Sequence, residues 1–370
     1  MKKRILHITP YYLPQYGGIE QVTYDIVDIL KEKYENKVIC FSESKKTEIT
    51  QYEGVEVYRV GWIKKIASQA ISFSYFFKLR KLLEEFQPNY IHLHLPNPLI
   101  TVYLLINLYF YKKEIKIIGH WHSDIIEQKF LKKLYSPIQS ILLKKLEKII
   151  VTSREYGMYS EDLKNYQNKI VVIQNIVNER LLVELKNETK INIIKEKYKN
   201  KKIVFFIGVH RKYKGLKYLV EASKYLSDDY KIIIAGNGPL TKELRENSKN
   251  DKKIEFIGKI SDEEKVNYYY ASDIFAFPSI TKNEAFGVAL AEALYCGLPA
   301  ITFTIKGSGV NWVNLDGETG MEITTVDSRA YANGIKQLVD KGKKEFKGRE
   351  RCKALFTKDS IRKQLLSLYI

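Results

Sequence analysis

Two glutamates eight residues apart, Glu284 and Glu292, enclose a run of small and apolar residues. The residues after about Phe286 favour a helix, which Gly297 and Pro299 would end. A helix that begins there has unpaired backbone N–H groups at its N-terminus, and such groups bind anions such as phosphate. The expected donors are the amides of Ala285, Phe286, Gly287 and Val288.

The spacing of the two carboxylates fits a nucleoside diphosphate. Glu292 would lie about 9 Å along the helix from its start, because an α-helix rises about 1.5 Å per residue. With phosphates at the helix N-terminus, Glu292 would accept hydrogen bonds from the ribose hydroxyls. Glu284 would hold hydroxyls of a group attached to the β-phosphate. The alternative is ordinary helix structure, in which Glu284 caps the helix and Glu292 is an exposed surface residue.

Length and composition predict two globular domains with anionic partners. The chain has 370 residues, and 61 Lys and Arg against 43 Asp and Glu give a net charge of +18. Such an excess favours nucleic acid, an acidic membrane surface or phosphorylated substrates. Three widely spaced cysteines indicate no disulfide framework, and no apolar run is long enough to span a membrane. We therefore expect a cytoplasmic protein.

Short apolar runs alternate with helical patterns, which predicts parallel sheets covered by helices. The first series of predicted strands comprises residues 4–9, 38–42, 90–95, 115–119, 149–152 and 170–174. The second series comprises residues 202–208, 230–236, 254–258, 274–278 and 299–303. The prediction is two doubly wound, Rossmann-like α/β domains, residues 1–180 and 181–355, facing each other across a ligand-binding cleft. A C-terminal helix, residues 356–370, is expected to pack back on the first domain.

Glycine turns follow predicted strands at two places where a ligand would bind. Gly17 and Gly18 follow the first strand of the chain, and Gly236 and Gly238 follow a strand of the second series. Neither pair completes a G-x-G-x-x-G fingerprint, so tight turns without a ligand are an equal alternative.

A basic amphipathic segment at residues 64–84 is typical of a surface that lies on anionic lipid. The segment contains five lysine and arginine residues among apolar ones that include Phe73, Phe76, Phe77, Leu79 and Leu83. Six more lysines lie within residues 129–148. The alternative is a solvated charged face without a partner.

The sequence E-A-F-G-V-A-L-A-E at residues 284–292, followed by A-L-Y-C-G-L-P-A, resembles the donor-site signature of family-4 glycosyltransferases, retaining enzymes of the GT-B fold. Other segments resemble this family in the expected order: residues 14–20 (PQYGGIE), 91–94 (IHLH), 120–124 (HWHSD), 214–216 (KGL), 236–240 (GNGPL), 256–258 (FIG), 307–310 (GSGV) and 314–320 (NLDGETG). The last two segments look like those of members that act in surface-polysaccharide synthesis.

The resemblance implies roles for individual residues. Lys214 and Arg211 would bind the donor diphosphate, and Arg211 would replace an arginine that the family usually has where this chain has Val209. His122 would orient the sugar or the acceptor, with His120 as its rival, since residues two apart on an extended segment point the same way. A buried structural histidine is the alternative for either one.

Together, these arguments predict a set of site residues. Asp124 would bind an acceptor hydroxyl, although a turn-forming aspartate is an equal alternative. The predicted catalytic residues are His122, Arg211, Lys214 and Glu284, and His120 joins Asp124 as a possible acceptor contact. The predicted donor contacts are Gly17, Gly18, Gly236, Gly238, Ile260, Ala285, Phe286, Gly287, Val288 and Glu292.

The predicted reaction moves a hexose-type sugar from a nucleoside diphosphate to a glycan or a polyprenyl-diphosphate-linked acceptor, in cell-surface polysaccharide synthesis. By the resemblance, the anomeric configuration is retained and the departing phosphate oxygen takes the acceptor proton. No D-x-D motif lies in a suitable loop, so we expect no metal and no other cofactor. A peripheral position on the inner face of the plasma membrane would suit a lipid-linked acceptor. The alternatives are a sugar-nucleotide epimerase or phosphorylase of the same fold and, further away, a basic nucleic-acid-binding protein, for which no binding motif is present.

Overall fold

The structure, a computed structural model, describes residues 2–15, 17–66, 69–125 and 129–369. Two compact units make up the chain. The first combines Met1–Ile173 with Arg362–Ile370, and the second is Gln174–Ile361. The division after Ile173 lies a few residues before the boundary that the sequence suggested at residue 180. The final residues of the chain belong to the first unit.

The first unit is built on an eight-stranded sheet with the order β10-β9-β8-β7-β1-β2-β4-β3 and a separate hairpin, β5-β6. Within the eight-stranded sheet, neighbouring strands are parallel except β3 and β4, and the separate hairpin is antiparallel. The strands are β1 Arg4–Ile8, β2 Glu35–Phe41, β3 Glu48–Tyr52, β4 Val55–Val60, β5 Lys64–Ile66, β6 Gln69–Ile71, β7 Tyr90–Leu95, β8 Lys116–Trp121, β9 Lys148–Val151 and β10 Ile170–Val172.

Two long helices of the first unit, the second and the third, begin at residues whose side chains cap free amides. The Ser72 side chain accepts from the Tyr75 amide, and the Asn97 side chain accepts from the Ile100 amide, with Pro98 at the first helical position. The helices are α1 Gly18–Leu30, α2 Phe73–Phe86, α3 Pro98–Phe110, α4 Lys129–Lys145 and α5 Arg154–Tyr159.

The second unit is built on a six-stranded parallel sheet with the order β13-β12-β11-β14-β15-β16. The strands are β11 Lys202–Ile207, β12 Tyr230–Ala235, β13 Ile254–Gly258, β14 Ile274–Phe277, β15 Ala300–Phe303 and β16 Gly320–Ile323. The helices are α6 Glu179–Glu184, α7 Glu188–Lys197, α8 Leu216–Ala222, α9 Thr241–Asn247, α10 Asp262–Ala271, α11 Val288–Tyr295, α12 Val310–Val313, α13 Ser328–Lys341, α14 Gly348–Leu355 and α15 Lys358–Leu366, whose last residues belong to the first unit.

Strand order reverses at one point in this second sheet. The chain adds β12 and β13 on one side of β11, then adds β14, β15 and β16 on the other side. The carboxyl ends of β11 and β14 therefore form the crevice where open α/β sheets bind ligands. Arg211 and Lys214 follow β11, and Glu284 follows β14. The predicted doubly wound α/β architecture is confirmed.

Candidate active site

Lys214 and Glu284 form an ion pair beside the carboxyl end of β14. The Lys214 ammonium donates to Glu284 Oε2, and the Ser279 hydroxyl donates to the same oxygen at 3.2 Å. The two side chains of the ion pair are 13% and 12% exposed. Burial acts to lower the pKa of Lys214, but the Glu284 carboxylate and the nearby Tyr213 together outweigh that effect and hold the pKa above its ordinary value. Lys214 is therefore a fixed positive charge.

A glycine brings Lys214 to this position. Gly215 has a φ of +61°, and a Cβ there would lie 2.0 Å from the carbonyl oxygen of Pro278. The short 3₁₀ turn Lys212–Lys214 is also tied to the loop after β14, because the Ile280 amide donates to the Tyr213 carbonyl at 2.9 Å. Only a residue without a side chain allows this close approach.

The helix that carries the second glutamate begins later than predicted. Gly287 precedes α11 with a φ of +86°, and its Cβ would lie 2.9 Å from Phe277 Cζ, so the chain turns there and helical structure starts at Val288. Ala285 and Phe286 are consequently buried loop residues. The prediction that their amides belong to the first turn of the helix was wrong. The unpaired amides at the start of α11 belong to Val288 and the two residues after it.

Glu292 is held by two side chains of α10. Lys265 Nζ lies 3.1 Å from Glu292 Oε1, and the Tyr269 hydroxyl donates to Oε2 at 3.0 Å. The Glu292 side chain is only 13% exposed, which rules out the alternative of an exposed surface glutamate. Because α11 begins at Val288, Glu292 lies about 6 Å along the helix and not about 9 Å.

The glycine turns of the second unit bring two loops into direct contact. A Cβ at Gly236 would lie 2.0 Å from the Gly208 carbonyl oxygen, and a Cβ at Gly238 would lie 2.6 Å from the His210 amide nitrogen. The buried His210 is itself fixed by Thr241 Oγ1 at 2.8 Å. The close packing of the two loops therefore explains why glycine occupies both positions. The same packing places backbone groups at the carboxyl ends of β11 and β12.

Two other predicted residues of this unit lie outside the paired cluster. Arg211 immediately precedes the turn that carries Lys214, but its side chain is exposed and makes no hydrogen bond or ion pair within the described part of the chain. The structure therefore does not join Arg211 to Glu284. Ile260 lies between β13 and α10 and packs, partly buried, on the core of the unit.

In the first unit, five histidines stack along β1, β7 and β8. His120 and His122 point the same way, as predicted, with ring centroids 4.4 Å apart. His94 Nδ1 lies 2.9 Å from His122 Nε2, and His92 Nε2 lies 3.4 Å from His120 Nδ1. Burial lowers the pKa of His122 to about 3 and the pKa of His7 to about 4. The five rings are therefore neutral at physiological pH.

Three of these rings, His92, His94 and His120, have ligand atoms within 4.8 Å of one another. Their stacked geometry does not suit a metal ion, because lone pairs lie in the ring planes and parallel rings do not direct them to one point. The His94 and His120 planes differ by 19°. His92 also uses both nitrogens, one toward His120 and one toward the Tyr369 hydroxyl. We interpret the cluster as packed neutral imidazoles.

The remaining predicted residues of the first unit have structural surroundings. Asp124 is buried, and its Oδ1 accepts from Trp121 Nε1 at 3.0 Å and from the Ser160 hydroxyl at 2.6 Å, which favours the structural alternative. Gly17 and Gly18 lie exposed where α1 begins. A Cβ at Gly17 would lie 2.1 Å from a carboxylate oxygen of Glu20, which folds over that turn.

Sequence reasoning missed four side chains of the second unit: Lys265, Tyr269, Ser279 and Ser308. Ser279 donates to Glu284 Oε2, and the Ser308 hydroxyl donates to the Glu284 carbonyl. Two signals were available: Lys265 and Tyr269 lie four residues apart and so share a face of α10, and Ser308 lies in the segment 307–310 that resembles the family.

Helices α2 and α3 present exposed aromatic rings near basic residues. The exposed fractions are 67% for Phe73, 66% for Phe77, 83% for Tyr109 and 57% for Phe110. The predicted basic amphipathic segment is thus divided, because Leu79 and Leu83 belong to the core while Phe73 and Phe77 face outward. Among the described residues, none of the helices has both the length and the apolar character that crossing a bilayer requires.

Two family models match the chain in succession. Residues 16–181 match Glycosyltransferase Family 4, and residues 187–354 match Glycosyl transferases group 1. The chain is 30% identical over 339 residues to D-rhamnosyltransferase WbpZ of Pseudomonas aeruginosa, covering 90% of this chain and 86% of that protein. It is 28% identical over 374 residues to O-antigen chain mannosyltransferase C of Escherichia coli, covering 99% and 98%.

A solved structure shows the same arrangement of elements. The complex of Anabaena HepE with UDP and glucose superposes with a TM-score of 0.79, at 17% identity and with 99% of each chain covered. At this sequence identity the structural similarity is evidence for the fold alone, and it confirms the predicted GT-B fold.

Proposed function

The chain belongs to the family-4 glycosyltransferases, and we propose that it transfers a hexose from a nucleoside diphosphate to a growing surface glycan, with retention of the anomeric configuration. The observation that carries this proposal is the pair of Lys214 and Glu284 next to the start of α11. A buried cation beside unpaired helix amides binds a diphosphate, and the adjacent carboxylate can accept from sugar hydroxyls.

The difficult step is separation of charge. When the bond from the anomeric carbon to the β-phosphate oxygen breaks, the sugar becomes oxocarbenium-like and the diphosphate gains negative charge. Lys214 can stabilise that charge without leaving Glu284, because an ammonium group has three donors. The departing phosphate oxygen then takes the proton of the acceptor hydroxyl, whose oxygen bonds to the same face of the sugar. The products are the glycoside and the free nucleoside diphosphate.

We propose a sugar of the manno configuration. The two relatives are named as a D-rhamnosyltransferase and a mannosyltransferase, and D-rhamnose is the 6-deoxy form of D-mannose. The second name also refers to the O-antigen chain, which supports a glycan as acceptor. An epimerase or a phosphorylase of the same fold is the remaining alternative. The names of both relatives, which are those of sugar transferases, weigh against it.

On the first unit, His122 is our candidate for contact with the sugar or acceptor. Of the five clustered histidines, only His122 is not fully buried. His94 pairs with its Nε2, so Nδ1 is the atom that can bond a substrate hydroxyl. Because burial lowers its pKa to about 3, His122 would act as a neutral hydrogen-bonding group and not as a cation.

The aromatic face of α2 and α3 supports a peripheral position on anionic lipid, where a lipid-linked acceptor would be found. Phe77 and Tyr109 would enter the interface, and Lys78 and Lys112 would meet the headgroups. Sedimentation with vesicles of anionic phospholipid at low salt should bring down the wild type but not the Phe77→Ser/Tyr109→Ser variant. A matched Ile193→Ser variant, altered at an exposed apolar residue of the second unit, should bind like wild type. Equal sedimentation of all three proteins would contradict the proposal that this aromatic face binds lipid.

Calorimetric titration with UDP, GDP and ADP, with and without magnesium, tests the donor site. We expect one nucleotide to bind without metal, and binding to weaken in Glu292→Ala. An exposed-glutamate control, Glu246→Ala, should bind like wild type, since Glu246 is exposed and forms a surface ion pair with Lys249. Absence of binding by all three nucleotides would contradict the donor site.

A further inference from the structure

Each carboxylate oxygen of Glu292 has its own donor. Lys265 Nζ lies 3.1 Å from Oε1, and the Tyr269 hydroxyl lies 3.0 Å from Oε2. Lys265 is at the same time 3.0 Å from Asp262, one turn earlier on α10. The carboxylate plane is thus fixed from one side by a single helix.

The donors themselves have little freedom to move. Helix α10 begins with a capping box, in which Ser261 and Glu264 bond each other's backbone amides. The Tyr269 ring is fully buried and packs edge-on against Phe205 and Phe275, with centroids 5.7 and 5.6 Å away. Lys265 is only 16% exposed and lies between two carboxylates. The hydroxyl and the ammonium group therefore impose one orientation on Glu292.

We propose that Lys265 and Tyr269 position Glu292 for the vicinal hydroxyls of a ribose, so that the site takes ribonucleoside diphosphates and discriminates against 2′-deoxyribonucleoside diphosphates. Each oxygen of an ionised carboxylate has a second lone pair, and two fixed oxygens match two neighbouring hydroxyls. A 2′-deoxy sugar leaves one of these sheltered lone pairs without a donor. This inference rests on the donor site proposed above.

The competing explanation is an ion pair that only stabilises the fold. Removing one partner of a sheltered pair weakens a protein whatever the pair does. Such a defect would weaken the binding of ribo- and deoxyribonucleotides alike. The ratio of the two dissociation constants therefore separates positioning from stability, because only positioning changes it.

The experiment is calorimetric titration with GDP against 2′-deoxy-GDP and UDP against 2′-deoxy-UDP, using the base that binds. Wild type should prefer the ribonucleotide by about tenfold to a hundredfold. In Lys265→Met and the nearly isosteric Tyr269→Phe, the preference should fall to within about threefold, mostly through weaker ribonucleotide binding. Lys265→Arg should keep part of it. The matched control is Lys190→Met, which breaks another ion pair to α10, 2.7 Å from Glu263, and should keep the wild-type ratio.

The outcomes distinguish this inference from the proposed function. If Glu292→Ala loses the preference while Lys265→Met and Tyr269→Phe keep it, the positioning role is wrong and the donor site stands. If the wild type binds both nucleotides equally, the inferred selectivity is wrong. If neither nucleotide binds, both the donor site and the inference are overturned.

Discussion

The candidate sites of the two units are built from different polar groups. In the second unit, the sheltered groups are charged and paired, as in Lys214 with Glu284 and Lys265 with Glu292. In the first unit, they are neutral imidazoles that stack on one another, and His94 Nε2 and His120 Nε2 have no hydrogen-bond partner among the described residues. Paired charges can accept a charged ligand with little rearrangement, whereas stacked neutral rings resist protonation and can offer a ligand hydrogen bonds but no charge. We infer that charge chemistry belongs to the second unit.

The largest expected effect is acid destabilisation of the first unit. Burial is the main cause that lowers the pKa of all five clustered histidines, to about 4 for His7 and about 3 for His122. The unfolded chain binds protons as pH falls through about 6.5, while the folded unit does not, so stability is complete above that pH and is lost below it. Between pH 7.5 and 5.5 the loss should be about 1.4 kcal/mol for His7 and the same for His122, and the other three histidines add to it in the same direction.

Hydrogen exchange measured by mass spectrometry at both pH values checks this prediction. Protection should fall in β1, β7 and β8 well before it falls in β11 and β14, since the second unit has only His210. If protection falls equally in the two units, protonation of the histidine stack is not the cause of the acid destabilisation.

The next effect concerns the fixed cation of the second unit. Lys214→Ala should reduce kcat about a hundredfold to a thousandfold, because removal of one preorganised donor from a developing charge has that cost. Lys212→Ala, which alters an exposed neighbour in the same turn, should be close to wild type. Unchanged turnover in Lys214→Ala would show that Lys214 does not stabilise the developing charge.

A smaller effect is expected when the cation is moved and not removed. In Gly215→Ala the φ of +61° is strained and the new Cβ would meet the Pro278 carbonyl, so Lys214 must shift and kcat should fall about tenfold. Gly317→Ala is the matched control, because its φ is +74° but nothing lies within 4 Å of the new atom. It should lose stability but not turnover. Equal kcat values in both variants would show that the position of Lys214 is not critical.

The smallest effect is expected at Arg211. Its exposed side chain must lose rotamer freedom to reach a phosphate, so Arg211→Ala should weaken nucleoside diphosphate binding by at most about tenfold. The measurement is a calorimetric dissociation constant at low and high salt, with Arg245→Ala as the control. A loss as large as that of Lys214→Ala would place Arg211 beside Lys214 as a second essential cation.

Much of the fold was predictable because buried parallel strands are continuous apolar runs. Each predicted strand is present, with ends that differ by a few residues. Five strands were missed: β3, β4, β5, β6 and β16. Strands β3 and β4 form a hairpin that turns at Glu53 and Gly54, and β3 is a largely exposed edge strand that lacks an apolar run. Strands β5, β6 and β16 are only three or four residues long. The start of α11 was misplaced because Gly287 favours a turn only once Phe277 lies against it.

The candidate site was predictable in its carboxylates and its lysine but not in their partners. Glu284 and Glu292 stand out through spacing, and Lys214 through resemblance. That Lys214 pairs with Glu284, and Lys265 with Glu292, depends on contacts between residues 70 and 27 positions apart. No local pattern encodes such contacts. The histidine stack could not be predicted for the same reason, because the register between β7 and β8 places His94 beside His120.

The most direct test of the account is analysis of the products formed from a nucleoside-diphosphate mannose and a synthetic polyprenyl-diphosphate-linked glycan. We predict free nucleoside diphosphate and a new glycoside with the anomeric configuration of the donor, seen by NMR, with turnover lost in Lys214→Ala. A sugar phosphate, an epimerised sugar nucleotide or a glycoside of inverted configuration would contradict it.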